Sequence, residues 1–145
     1  MSGATVVQNG RAKAYRPLPI EDRRRAYDLA LEAYDRGDFF LAHELLEPAW
    51  MGTDDLSERA LHQGLIKLAA AFVHGVRGNS AGIAKNLEGA RLHLAATVGS
   101  APAAASGLDV AALIGAIDDR LARLAADPTE ASIEAPPLPR VRAAG

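Results

Sequence analysis

Leu61, Leu65, Leu68, Phe72 and Val76 recur at intervals of three and four. That spacing lays one apolar stripe along an α-helix. The same period runs through Ala26, Tyr27, Ala30, Leu31, Ala33 and Tyr34, through Ile83, Leu87, Ala90 and Leu94, and through Val110, Leu113, Ile117, Leu121 and Leu124. Val, Ile, Thr and Tyr are sparse and no run alternates with period two, so no strand is predicted. Alanine carries much of the hydrophobic content, which suits helices whose backbones approach closely.

Punctuation divides the chain. Pro17 and Pro19 end an N-terminal arm, residues 1–19. A first helix is predicted over 21–36. Gly37 closes it and Asp38 caps a second helix over 39–51, so these two are antiparallel neighbours. Pro48 predicts a kink or an early end. A third helix is expected over 56–77, capped by Thr53, Asp54 or Asp55. A fourth starts at Asn79 or Ser80 and runs to Val98. "GSAPAAASG" reads as a linker. Ser106 and Asp109 resemble a capping box for a fifth helix that closes at Asp127 and Pro128. The fold class is all-α, a single antiparallel bundle of about five helices over 20–127. Gly64, Gly75, Gly82 and Gly89 fall inside helices, where close helix contact is the best reason for them. Residues 128–145 read as an extended proline-rich tail, dispensable for the bundle.

Charge and composition narrow the function. The formal net charge is -2, which argues against a nucleic-acid partner. Arg11, Lys13, Arg16, Arg23, Arg24 and Arg25 form a local basic stretch, partly neutralised by Glu21, Asp22 and Asp28. It reads as a solvated face rather than a phosphate-binding patch. The chain has no cysteine, which excludes disulfides, thiolate nucleophiles and cysteine-ligated metals. No apolar run is long enough to span a bilayer and no signal peptide is read at the start, so no membrane partner and a cytoplasmic location are expected. Alanine-rich helix faces make a homodimer one candidate assembly.

The chemistry concentrates in "FFLAHELLEPAW", residues 39–50. His43, Glu47 and Trp50 share a helix face, and Glu44 is rotated by about 100° from it. The shared face is expected to point towards the third helix. There Gln63, Lys67 and His74 form a stripe beside the apolar one. Two readings follow. In one, His43, Glu47 and His74 ligate a divalent metal such as zinc, and Glu44 is the general base for a metal-bound water. In the other, His43 hydrogen-bonds Glu47 and Gln63, Trp50 packs over them, and the network fixes helix register without chemistry. His62 is expected at the surface or its boundary. His93 is expected to be exposed.

"GDFFLAHELLEPAW", "HQGLIKLAAAFVH" and "RGNSAGIAKNLEGARLHL" occur in that order and together resemble the family catalogued as domain of unknown function 309. The matching positions are Gly37, Phe39, His43, Glu44, Glu47 and Trp50, then Gln63, Gly64, Leu65, Ile66, Ala69 and His74, then Gly78, Asn79 and Gly82. The resemblance implies a helical bundle. The family has carried the label of predicted metal-dependent hydrolase, which points to the first reading. This chain departs from the pattern at Pro48 and at His62, where an aromatic often precedes the glutamine. "YDRGDFFLAHELLEPA" also resembles the turn of one tetratricopeptide hairpin, but no second copy follows at about 34 residues. That likeness implies a non-catalytic peptide-binding or scaffolding module; the sequence leaves the partner itself open between a small molecule and a protein.

Overall fold

The computed structural model describes residues 4–8, 10–73, 79–127 and 133–141. In chain order the elements are β1 (Ala4–Gln8), β2 (Arg11–Tyr15), α1 (Ile20–Asp35), α2 (Phe39–Met51), α3 (Leu56–Ala71), α4 (Ser80–Thr97), α5 (Ala101–Ala105) and α6 (Val110–Ala126). The protein is mostly helical with a small two-stranded sheet. Among the described residues no helix is long and apolar enough to cross a membrane.

The strands correct the strandless reading of the arm. β1 and β2 pair antiparallel, from Ala4 opposite Tyr15 to Gln8 opposite Arg11. The signal was the Asn9–Gly10 dipeptide between them, the sequence of a tight hairpin turn, and Gly10 takes a positive φ of 74°. Period two then puts Gln8, Arg11 and Lys13 on one face of the hairpin.

The helix caps follow from local chemistry. Asp38, Asp55, Asn79 and Asp109 each accept a hydrogen bond from a backbone N–H three residues on. α2 runs through Pro48 to Met51 without an early end. Pro48 and Glu44 are both exposed, so water can serve the carbonyl that the missing N–H leaves. α3 stops at Ala71, short of the predicted Arg77. The N–H of Phe72 turns back to the carbonyl of Ala69 at 3.0 Å, and residues 74–78 lie outside the described residues. The expected linker holds α5, capped by Ser100 with Pro102 in its first turn. Ser106 is not half of a capping box. It belongs to the preceding turn, where its hydroxyl donates to the Ala103 carbonyl at 2.6 Å and accepts from Leu108 N–H at 3.1 Å.

α3 is the centre of the packing. It contacts α2, α4 and α5, while α1 packs against α2 and α6 against α4. Leu61, Leu65 and Leu68 enter the core as predicted, with Ile83, Leu87, Ala90 and Leu94 of α4 facing them. A Cβ on Gly64 would meet Leu94 Cγ at 2.7 Å, so glycine sets the close approach of α3 and α4 there.

Arg59 on α3 is fully buried. Its Nε donates to Gln8 Oε1 at 3.1 Å, Nη1 to the Thr53 carbonyl at 3.0 Å and Nη2 to the Ala14 carbonyl at 3.0 Å. The guanidinium also lies 4.7 Å over the Trp50 ring. One side chain therefore ties both strands to α2, α3 and the loop between them. Next to it, Arg16 N–H donates to the Met51 carbonyl and Leu18 N–H to that of Gly52, at 2.8 and 3.0 Å.

The tail is extended, as its prolines predict, but it is packed against the helices. Ile133, Pro136 and Leu138 are buried. Tyr34 donates to the Pro136 carbonyl at 2.7 Å, Asp109 N–H to that of Pro139 at 2.9 Å and Val141 N–H to that of Gly107 at 2.9 Å. Arg140 pairs with Asp35 at 2.9 Å, and Arg123 with Glu134 at 3.1 Å.

Two outcomes are expected. Truncation after Asp127 removes three buried apolar residues and should lower Tm by about 5 °C or more, measured by circular dichroism. An unchanged Tm contradicts the strap. Arg59→Met should destabilise the protein by roughly 1–3 kcal/mol in urea titrations, because buried oxygens lose their donors. Hydrogen exchange should speed up in β1 and β2 before it does in α4. Arg59→Lys should not restore protection, since one ammonium cannot serve three divergent oxygens.

Candidate functional site

α2 buries Ala42, Leu46 and Ala49. His43, Glu47 and Trp50 lie one residue further round, at the margin of the core rather than inside it. The His43 side chain is 26% exposed, Glu44 52% and Glu47 47%. His43 Nδ1 is 3.2 Å from Glu44 Oε1, and Nε2 is 3.6 Å from Glu47 Oε1. The imidazole thus sits between two carboxylates of its own helix, not in a buried knot with Gln63. His74 lies outside the described residues. Among those described, no group of three or more His, Cys, Asp or Glu side chains could hold a metal ion. Of the predicted ligand set only His43 and Glu47 are described, and Glu44 is paired with His43.

Trp50 and Gln63 go elsewhere. They line a cavity of about 360 Å³ beneath the hairpin, with Gln8, Arg11, Lys13, Lys67 and His93. Trp50 Nε1 donates to Gln8 Oε1 at 3.2 Å. His93, expected exposed, is partly buried here. Burial, then the positive charges of Lys67 and Lys13, hold its pKa below the ordinary 6.5.

A second cavity, about 280 Å³, opens between α1, α3 and α5. Its apolar wall includes Ile20, Tyr27, Leu61, Pro102 and Ala105, and its polar end is Arg23, Glu58 and His62. Glu58 accepts from Arg23 Nε at 2.7 Å and Nη2 at 3.2 Å, and from Thr53 Oγ1 at 3.3 Å. His62 Nε2 is 3.3 Å away on the same carboxylate. Burial alone would raise the Glu58 pKa, but hydrogen bonds from His62 and Arg23 and their charges outweigh it and bring it to about 2. An ionised carboxylate only accepts, so Nε2 of His62 carries the proton it shares with Glu58. The ring packs edge-on against Tyr27, centroids 5.9 Å apart. Its Nδ1 is buried with no hydrogen-bond partner.

This corrects the expected surface position of His62, which is only 3% exposed. Sequence reasoning also read Arg23 as part of a solvated face, whereas it pairs with Glu58, and passed over Glu58 and Arg59. The i, i+4 spacing of Glu58 and His62 was a usable signal. Arg59 carried no local one.

Residues 27–86 match the family model described as Domain of unknown function (DUF309). The match takes in His43, Glu44, Glu47, Trp50, Glu58, Arg59, His62 and Gln63. No curated protein and no solved structure matches the chain. Over the segment 27–86, which holds α2, α3 and the cavity residues they carry, the chain is similar to the DUF309 family.

Proposed function

We propose that this domain is a non-catalytic binding module for a small, mostly apolar molecule, held in the cleft between α1, α3 and α5. One observation carries the reading: an apolar wall converges on a short polar end with a strongly perturbed carboxylate. That combination is the usual mark of a ligand site. The polar end does not favour catalysis. Glu58 already receives three donors besides His62, so it orients rather than abstracts protons. His62 Nδ1, buried beside this end without a hydrogen-bond partner, becomes an acceptor for a ligand N–H or O–H group when the ring is neutral with its proton on Nε2.

Indole, apolar with a single N–H donor, is a suitable probe. It should shift the NMR signals of residues lining the cleft, and N-methylindole should bind more weakly. Ala105→Trp should fill the cleft and abolish the shifts without unfolding the protein. Equal shifts in that variant place the probe elsewhere and end this reading.

The acid limb of stability tests the anchor. The Glu58 pKa is about 2 in the folded protein against an ordinary 4.5. A depressed carboxylate contributes stability that is present above 4.5 and lost as pH falls towards 2, because the unfolded chain takes up the proton first. Glu58→Gln should lower stability at pH 7 and flatten the pH dependence in that window.

A second reading, a metal-dependent hydrolase, draws support from the placement of His43 between Glu44 and Glu47. Elemental analysis of untagged protein and a chelator titration test it. A stoichiometric metal whose removal lowers Tm, with both effects lost in His43→Ala, favours the hydrolase. If His43 makes only exposed pairs, His43→Ala should change stability by less than about 1 kcal/mol and chelator should have no effect.

A further inference from the structure

The cavity under the hairpin is chemically unlike the α1–α3–α5 cleft. Three permanent cations line it, Arg11 and Lys13 from β2 and Lys67 from α3, and no carboxylate does. Several cationic side chains in this protein find anions, Arg23 with Glu58, Arg91 with Asp118, Arg120 with Glu134 and Arg140 with Asp35, while others on the surface, such as Lys85, stand in solvent and line neither cavity. Among the described residues Arg11, Lys13 and Lys67 form no such pair. The formal net charge is -2, so carboxylates are not scarce. They are simply not at this place.

Three like charges around one cavity repel each other. The arrangement is unfavourable empty and favourable around an anion. α4 passes close to one of these cations. A Cβ on Gly89 of α4 would lie 3.3 Å from Cδ of Lys67, so the aliphatic stem of Lys67 runs across α4 at the residue that lacks a side chain. His93, four residues on from Gly89 and partly buried, reports the same uncompensated positive field from Lys67 and Lys13. Trp50 and Gln63 supply an apolar face and an amide beside the cations.

We propose that this cavity binds the phosphate group of a small phosphate monoester. Arg11 offers a planar fork that matches two phosphate oxygens, and Lys13 and Lys67 offer point charges from the two sides. A phosphate monoester carries close to two negative charges at pH 7, with a second pKa of about 6. The body of the ester lies against Trp50 and Gln63, and a cavity of about 360 Å³ limits it to a small metabolite. The Arg11 and Lys13 part of the basic arm then acts as one wall of a site rather than as a solvated face.

Isothermal titration at low salt tests this with three probes: glycerol 3-phosphate, inorganic phosphate and malonate. Glycerol 3-phosphate should bind with one-to-one stoichiometry and weaken as salt is added. Inorganic phosphate should bind the same site more weakly, because it lacks the ester body. Malonate should bind least. Lys13→Gln and Lys67→Gln should each weaken glycerol 3-phosphate by about tenfold, equivalent to 1.4 kcal/mol. Lys85→Gln, exposed on α4 outside the cavity, should have no effect. Gly89→Ala, which displaces the Lys67 stem, should weaken binding without loss of helix content. Binding should also raise the His93 pKa, followed by ring-proton NMR. Should either lysine variant misfold, the other and Gly89→Ala still decide. No saturable binding, equal affinity for malonate, or lysine variants that behave like Lys85→Gln would each overturn the proposal. Ala105→Trp leaves this cavity intact, so its effect on indole and the lysine effects on phosphate separate the two sites.

Discussion

A single buried guanidinium organises the N-terminal half of this protein. Arg59 is enclosed without a carboxylate partner among the described residues, and its charge is met by three neutral oxygens and a tryptophan face. Burying a charge is costly unless hydrogen bonds and polarisable neighbours replace water. Here the replacements come from β1, from β2, from the α2–α3 loop and from α2. None of these groups is near Arg59 in the chain except the loop. Once the arginine is buried, the hairpin has to sit on α2 and α3, and the space beneath it becomes a cavity.

α3 distributes chemistry around its circumference. Successive residues of a helix point about 100° apart. Glu58 and His62 therefore serve the cleft towards α1 and α5. Arg59 serves the hairpin, Gln63 and Lys67 the cationic cavity, and Leu61, Leu65 and Leu68 the core. A helix covered on nearly every side can hold two separate sites. It also explains why a plain amphipathic stripe described α3 incompletely.

The tail completes the opposite end. Tyr27 and Tyr34 of α1 bury their rings and donate to the carbonyls of Ser106 and Pro136. Burial pushes both phenols above their ordinary pKa, so both stay neutral donors at physiological pH. The α5–α6 turn and the strap are thereby fastened to α1.

The sequence by itself determined what depends on neighbours within a few residues. α1, α2, α3, α4 and α6, the caps at Asp38, Asp55, Asn79 and Asp109, and the inward stripes of α3, α4 and α6 follow from local hydrogen bonding and period, whereas α5 lies in a stretch that reads as a linker. The Asn9–Gly10 dipeptide in the sequence was a signal of the same class, although the sparse β-branched residues around it masked the strands. The grouping of His43 with Glu44 and Glu47 was local too, and it was legible. Tertiary structure alone decided which polar residues are buried and what they meet. Arg59 and His62 look like surface residues of a helix until the hairpin and α1 cover them. Trp50 and Gln63 share a cavity with Arg11, Lys13 and His93 because the hairpin folds back more than 35 residues to α2 and α3. Burial of a polar side chain depends on long-range partners, and no periodicity within one helix encodes them.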